Sequence, residues 1–354
     1  VANPINNKYE KLHFNEQDRV VNYINKQYDS IISQIAPLVE SGAATSVVQR
    51  KLNFLLKQFR KNVTARIENG IRFSWDISNQ KNIAYFERRL SGFKIPDQIR
   101  KALFNPNHNR LEAFIARKDG GMDLSSRVWK SAQQFKINVD MSMDIGIAEG
   151  KGAKAIGREL RQNLNEPDKL FRRVRNSRGN LKLSKPAEAY KPGQGVYRSA
   201  AKNSERLART ETNRGYRAAD GAAWENNPLV LGYEIRLSAT AKPKIRCELC
   251  KSLEGKYPVW FVWNGWHPNC LCFKIPILMD DEMMAKYQKL VARGLDTPGA
   301  VKDLQVSLKI NDPPPEFNIW INTNAERVEG WKARPYWWKD NDKFITTVLK
   351  NEVT

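Results

Sequence analysis

Cys247-Glu248-Leu249-Cys250, followed by His267-Pro268-Asn269-Cys270-Leu271-Cys272, holds every cysteine of the chain and one of its three histidines. Two thiols separated by two residues can grip one metal ion from a tight turn. A second cluster, returning after a short excursion, can complete the tetrahedral shell that zinc prefers. Five side chains, Cys247, Cys250, His267, Cys270 and Cys272, compete for four positions. Only one residue stands between Cys270 and Cys272, and an extended segment is expected to send them to opposite faces. On that expectation the site takes Cys247, Cys250 and His267 with one later cysteine, and takes both only where the chain turns sharply. Either set saturates the ion with protein atoms, the chemistry of a structural zinc site. The alternative is four reduced thiols at the end of a sheet.

Outward from this knuckle the hydrophobic period is two. Leu231, Tyr233, Ile235 and Leu237 alternate with Gly232, Glu234, Arg236 and Ser238, and Phe273, Ile275 and Ile277 alternate with Lys274 and Pro276. These are half-buried strands. The run from Tyr257 to Trp263 is strand-forming apart from Pro258, so the expectation is a small antiparallel sheet clipped at one end. Upstream, residues 203–226 read as a helix with Ser204 as N-cap, carrying Arg209, Thr210 and Glu211. Glu211 and Arg214 are spaced to pair on its surface. Downstream come a helix over 280–296, a stiff Pro313-Pro314-Pro315 spacer, and Trp320, Trp331, Trp337 and Trp338, which cover either their own sheet or a partner.

The fold class expected is α+β, a mostly helical N-terminal module followed by a small antiparallel-sheet domain with a zinc knuckle. The expected divisions are 1–122, 123–200, 201–280 and 281–354. Residues 1–14 read as a polar arm, Asn15–Glu40 as an amphipathic helix, and Val47 to about Gly70 as a second. Shorter helices are expected over 79–90 and 97–117, with His108 in a turn. A long helix follows from Leu124 to about Ala148, and a short one stacks Ile156, Leu160 and Leu164. Arg172, Arg173, Arg175, Arg178, Lys182 and Lys185 then lie among prolines and glycines, a loop composition with a positive field. Such a loop suits phosphate or partner contact without sequence specificity.

The 354 residues carry 59 Lys+Arg against 38 Asp+Glu, a formal charge of +21. An excess of that size points to a polyanionic partner. No run approaches the ~18–20 apolar residues of a membrane span, and the first residues contain no apolar signal core, so export is not expected. Cysteines confined to metal spacing suit a reducing compartment. A nuclease of the His-metal-finger type needs a general-base histidine apart from the metal ligands, but His267 sits among the thiols, and His13 and His108 belong to the N-terminal part. No catalytic residue is assigned, no small-molecule substrate is expected, and the chain reads as non-enzymatic. The alternatives are a metal-finger enzyme or toxin and a non-viral zinc protein that binds nucleic acid.

The order of motifs resembles a known family. Ala208-Arg209-Thr210-Glu211, then Arg246-Cys247-x-x-Cys250-x-x-Leu253-x-Gly255, then His267-Pro268-x-Cys270-x-Cys272 with Pro276 downstream, is similar to the C-terminal domain of the phage Mu F-like minor head proteins. The segment from Trp129 through Ile145-Gly-Ile-Ala-Glu-Gly-Lys-Gly-Ala153 to Leu160-Arg161 resembles the helical region that precedes it there. The likeness spans about residues 125–280. It implies a virion component near the portal vertex, made in the host cytoplasm, acting in head morphogenesis with portal and capsid proteins and touching double-stranded DNA. By position it implies metal roles for the five Cys/His residues and a helix signature at Arg209, Thr210 and Glu211. The aromatic stretch between Gly255 and His267 departs from the pattern.

Overall fold

The computed structural model describes residues 4–165, 173–175, 177–183, 199–237, 247–306, 308–331 and 334–351. The fold is α+β: helices predominate, and one three-stranded antiparallel sheet carries the knuckle. The chain forms two compact units, each assembled from separated segments. One contains Val1–Asn15, Ile71–Phe114 and Thr212–Thr354 (the sheet unit), the other Glu16–Gly70 and Ile115–Glu211 (the bundle unit).

In the bundle unit, α1 (Pro4–Glu40) and α2 (Thr45–Leu90) contribute the segments 16–40 and 45–70. Glu16 meets Arg66 at 2.7 Å, and the Tyr28 ring lies 4.6 Å from Phe59. Partner numbers that fall as the others rise mark an antiparallel hairpin, as the short break at Ser41-Gly42 predicts. Helix α5 (Leu124–Ala148) opens on Asp123, whose carboxylate accepts Ser126 N–H, and sets Phe135 4.8 Å from Tyr28. Helix α6 (Ala153–Asn165) buries Ile156 and Leu160. The first half of α7 (Ala200–Trp224) takes the Tyr28 hydroxyl on Ser204 Oγ at 2.8 Å. Ser204 is therefore a buried residue inside the helix; the cap is Ser199, whose Oγ accepts Lys202 N–H.

The N-terminal expectations need three corrections. Residues 4–14 are not an arm but the first turns of α1, where Asn6, Glu10 and His13 are all buried. Helix α2 passes through Asn69-Gly70 and absorbs 79–90, because Ile71, Trp75 and Phe86 continue its buried stripe. That burial outweighs the ~1 kcal/mol a mid-helix glycine costs. Residues 97–117 divide into α3 (Asp97–Leu103) and α4 (His108–Ala116), so His108 opens a helix.

The sheet of the sheet unit has the order β4–β3–β5, from β3 (Val230–Arg236), β4 (Gly255–Tyr257) and β5 (Phe273–Leu278). The alternation foretold β3 and β5. It did not foretell that Lys274 and Pro276 are the buried face of β5 while Phe273, Ile275 and Ile277 are half-buried. Gly232 is required: a Cβ there would stand 2.6 Å from Ile310, whose N–H bonds Leu231 O. The aromatic run 258–263 is not strand. Pro258 has no N–H to continue the ladder, and its carbonyl instead accepts Phe261 N–H in a turn.

What the run does is build a core. Phe261, Trp263 and Trp266 are buried with Tyr257 and Phe317. The C-terminal helices α11 (Pro315–Glu329) and α12 (Tyr336–Asp340) close over them. Trp337 Nε1 donates to Trp266 O at 2.9 Å, and Asn341 bonds Val262 through both its N–H and its carbonyl. The tryptophan-rich tail thus covers its own sheet unit. Helices α8 (Glu248–Ser252), α9 (Asp281–Ala292), α10 (Pro298–Gln305) and α13 (Asp342–Asn351) complete the described elements of this unit.

Candidate metal centre

Cys247 caps the short α8, its sulfur accepting Cys250 N–H at 3.3 Å, so the CxxC turn is a helix start. His267 approaches from the other loop, its Nε2 3.2 Å from Cys247 Sγ and 3.1 Å from Cys250 Sγ. Its Nδ1 lies 2.8 Å from Pro268 O, which can only accept. Nδ1 therefore carries the proton, and the Nε2 lone pair faces the two sulfurs.

Cys250 Sγ is 3.9 Å from Cys270 Sγ. Cys247, Cys250 and His267 form one group that could hold a metal ion, and Cys250, Cys270 and Cys272 a second. Both late cysteines thus reach Cys250, against the expectation that they diverge. The physical reason is the strand period itself: positions i and i+2 share a face, and only adjacent residues oppose each other. Asn269, at φ 60°, turns the chain just before them. Hydrogen bonds with Cys250 and Cys272 hold Cys270 well below the usual thiol range, and those with Cys270 and Cys272 push Cys250 above it.

Helix α7 supplies residues that the sequence reading did not single out. Arg217, 4% exposed, donates from Nη2 to Cys270 O and Cys272 O at 2.5 and 2.7 Å, and from Nη1 to Asn264 O at 3.0 Å. Gly265, at φ 115°, leaves room for it; a Cβ there would lie 2.5 Å from Nη1. Asn213 donates from Nδ2 to Cys270 O, and its Oδ1 accepts from His13 Nε2, 2.8 Å away. His13 also meets Ser74 and stacks on Tyr216. It therefore belongs to the same compact unit as the knuckle, although it lies in the N-terminal helix. The signal was present: Asn213, Arg217, Asp220 and Trp224 follow helical spacing on one face, but three are polar and so read as solvated.

That stripe continues into a buried charge cluster. Asp220 accepts from Ser78, Asn82 and Lys81 at 2.7, 2.9 and 2.8 Å, and the Lys81 and Asp220 side chains are 1% exposed. Burial pushes Glu10 up to about 7, against Lys81. Burial holds His13 down to about 3, against its Asn213 bond, and holds Lys274 down to about 7, with Asp220 opposing.

The helix signature lies in the bundle unit. Arg209 pairs with exposed Asp18 at 2.8 Å, and Thr210 Oγ1 bonds back to Arg206 O. Glu211 is 1% exposed and takes Arg117 and Arg127 at 2.5 and 2.8 Å. Of the basic stretch, Arg172 and Lys185 lie outside the described residues. Arg173 and Arg175 are on β1 (Arg173–Arg175) and Lys182 on β2 (Leu181–Leu183), an antiparallel pair where a loop was expected. Arg178 is exposed in the turn joining them.

No protein-family model matches the chain, and no characterised protein or solved structure is significantly similar to it. No helix among the described residues is long and apolar enough to cross a membrane.

Proposed function

We propose that the Cys/His cluster is a structural zinc site and that the protein is a non-enzymatic minor head component of a tailed phage, acting near the portal vertex against packaged DNA. The observation that carries the zinc reading is the aim of His267: its Nδ1 is committed to Pro268 O, so Nε2 is presented to Cys247 and Cys250. This is the second-bond arrangement typical of metal-ligating imidazoles. Tetrahedral zinc with ordinary bond lengths sets ligand atoms about 3.8 Å apart for sulfur pairs and about 3.6 Å for sulfur–nitrogen. The 3.9 Å Cys250–Cys270 edge fits, the imidazole edges at 3.1–3.2 Å need to open by a few tenths of an ångström, and the later cysteine, which groups with Cys250 apart from the Cys247–His267 pair, must close on that pair. The four ligands are Cys247, Cys250, His267 and one of Cys270 and Cys272. Bound zinc there supplies folding energy and no reaction.

The assembly role is supported by the residue pattern from Arg209 to Pro276 and by the +21 charge. Its basic hairpin residues, Arg173, Arg175, Arg178 and Lys182 with Arg172 and Lys185, contact DNA phosphates or the portal. Metal analysis of the purified chain is expected to give one zinc per molecule. Pull-down against tailed-phage portal and capsid proteins is expected to retain the portal. A chain without zinc that also captures neither portal, capsid nor DNA sinks the reading.

A further inference from the structure

Lys274 occupies a position that the knuckle and the head-protein reading leave unexplained. It sits on the buried face of β5, 3% exposed. Its Nζ lies 4.9 Å from the Trp224 ring centroid and 5.0 Å from Tyr233. Among the described residues it donates no hydrogen bond to protein. Asp220, the acid that acts on it most, already spends its oxygens on Ser78, Asn82 and Lys81. Lys81, Arg217 and Lys274 thus bring three basic side chains into the interior with two buried acids, Glu10 and the already bonded Asp220. An ammonium with no hydrogen-bonded acid of its own is costly to bury, and a ligand anion on Lys274 Nζ would offset that cost.

The amine faces space. A cavity of about 190 Å³ is lined by Lys274, Trp224, Tyr233, Phe261 and Trp263. Gly221 also lines it, and a Cβ at that position would stand 3.6 Å from Nζ. Trp263, 1% exposed, contributes ring surface to the wall. Trp260 and Val262, 46% and 43% exposed, belong to the same lining and open it to solutes. An apolar cavity of ~150 Å³ accommodates benzene, so this one has room for a single ring and a small polar group. Flat aromatic walls favour an aromatic occupant through offset or edge contacts.

We propose that this cavity binds a small planar aromatic carboxylate, its ring among Trp224, Tyr233 and Trp263 and its carboxylate on Lys274 Nζ. The site departs from the sequence expectation of no small molecule, although the occupant is held and not turned over. It stands independently of the zinc and assembly readings.

Benzoate is the probe, with benzamide as the neutral isostere and acetate as the anion without a ring. Tryptophan fluorescence of the full-length chain, titrated with each, should show saturable quenching by benzoate. Benzamide and acetate should each bind at least about tenfold more weakly, the scale of a lost charged hydrogen bond or of lost ring burial. Lys274→Met keeps the stem and removes the ammonium, and should weaken benzoate at least about tenfold with unchanged near-ultraviolet circular dichroism. Absence of saturable benzoate binding, or equal affinity for benzamide, overturns the proposal without recourse to any variant. A folded Lys274→Met that binds benzoate like the wild type overturns it as well.

Discussion

Helix α7 buries charge twice, in opposite ways. Glu211 takes one guanidinium on each carboxylate oxygen, Arg117 on one side and Arg127 on the other. Arg217 ends its donors on three main-chain carbonyls, those of Asn264, Cys270 and Cys272. The first arrangement balances charge with charge and holds side chains. The second spends a cation on neutral backbone and so fixes the path of the loop that carries the sulfur cluster. A charge that grips backbone shapes a site, whereas a charge that grips charge locks a helix.

The largest test of that contrast is Cys250→Ser, since Cys250 belongs to both groups that could hold a metal ion. Metal stoichiometry should collapse and proteolysis should open the sheet unit first, with the bundle unit keeping its helicity. Full stoichiometry and unchanged resistance would refute the clamp. Next come the two buried charges. Arg217→Met should cost about 3–5 kcal/mol and Glu211→Gln about 2–4 kcal/mol in urea unfolding, because each leaves buried polar groups without partners. Only Arg217→Met should also weaken metal retention against a chelator; equal losses in both variants would erase the distinction.

A subtler effect concerns pH. His13 binds its proton near 6.5 when unfolded but near 3 when folded, so it contributes stability above 6.5 that is lost as pH falls through this window. Glu10 runs the other way: unfolded near 4.5 and folded near 7, it contributes stability below 4.5 that is lost as pH rises. Between 4.5 and 6.5 the two slopes cancel, and below 4.5 only His13 remains. Glu10→Gln should therefore expose a decline starting at 6.5, about 1.4 kcal/mol per pH unit. A thermal-melt series in which wild type and variant decline in parallel would dismiss the opposition. The smallest effect belongs to Lys286–Glu282, whose side chains are 57% and 76% exposed. Lys286→Ala should shift stability by no more than about 0.5 kcal/mol.

What the sequence made legible follows a physical rule. Helices α5 and α6 and strands β3 and β5 emerged from apolar periodicity, and the five Cys/His residues emerged from metal spacing. Arg217, Asn213 and His13 stayed hidden because a buried polar stripe has the same composition as a wet one. The same blindness turned residues 4–14 into an arm, since Asn6 and Glu10 bond each other and His13 bonds distant Ser74 and Asn213, polar contacts that leave no apolar period. The strand expectation for 258–263 failed because aromatic residues favour a packed turn as readily as a ladder once proline has removed a donor. The separation of Cys270 from Cys272 was a misapplied period, correctable from sequence alone.

The bond between His13 and Asn213 spans 200 residues. At ribosomal rates of about 5–20 residues per second, roughly 10–40 s separate the synthesis of its two ends. Segments 16–70 and 115–211 are both complete before Asn213 is made, so the bundle unit can finish while the first turns of α1 still wait. Through that interval Glu10 and His13 are wet and titrate freely, and the sheet unit becomes the last part of the chain able to close.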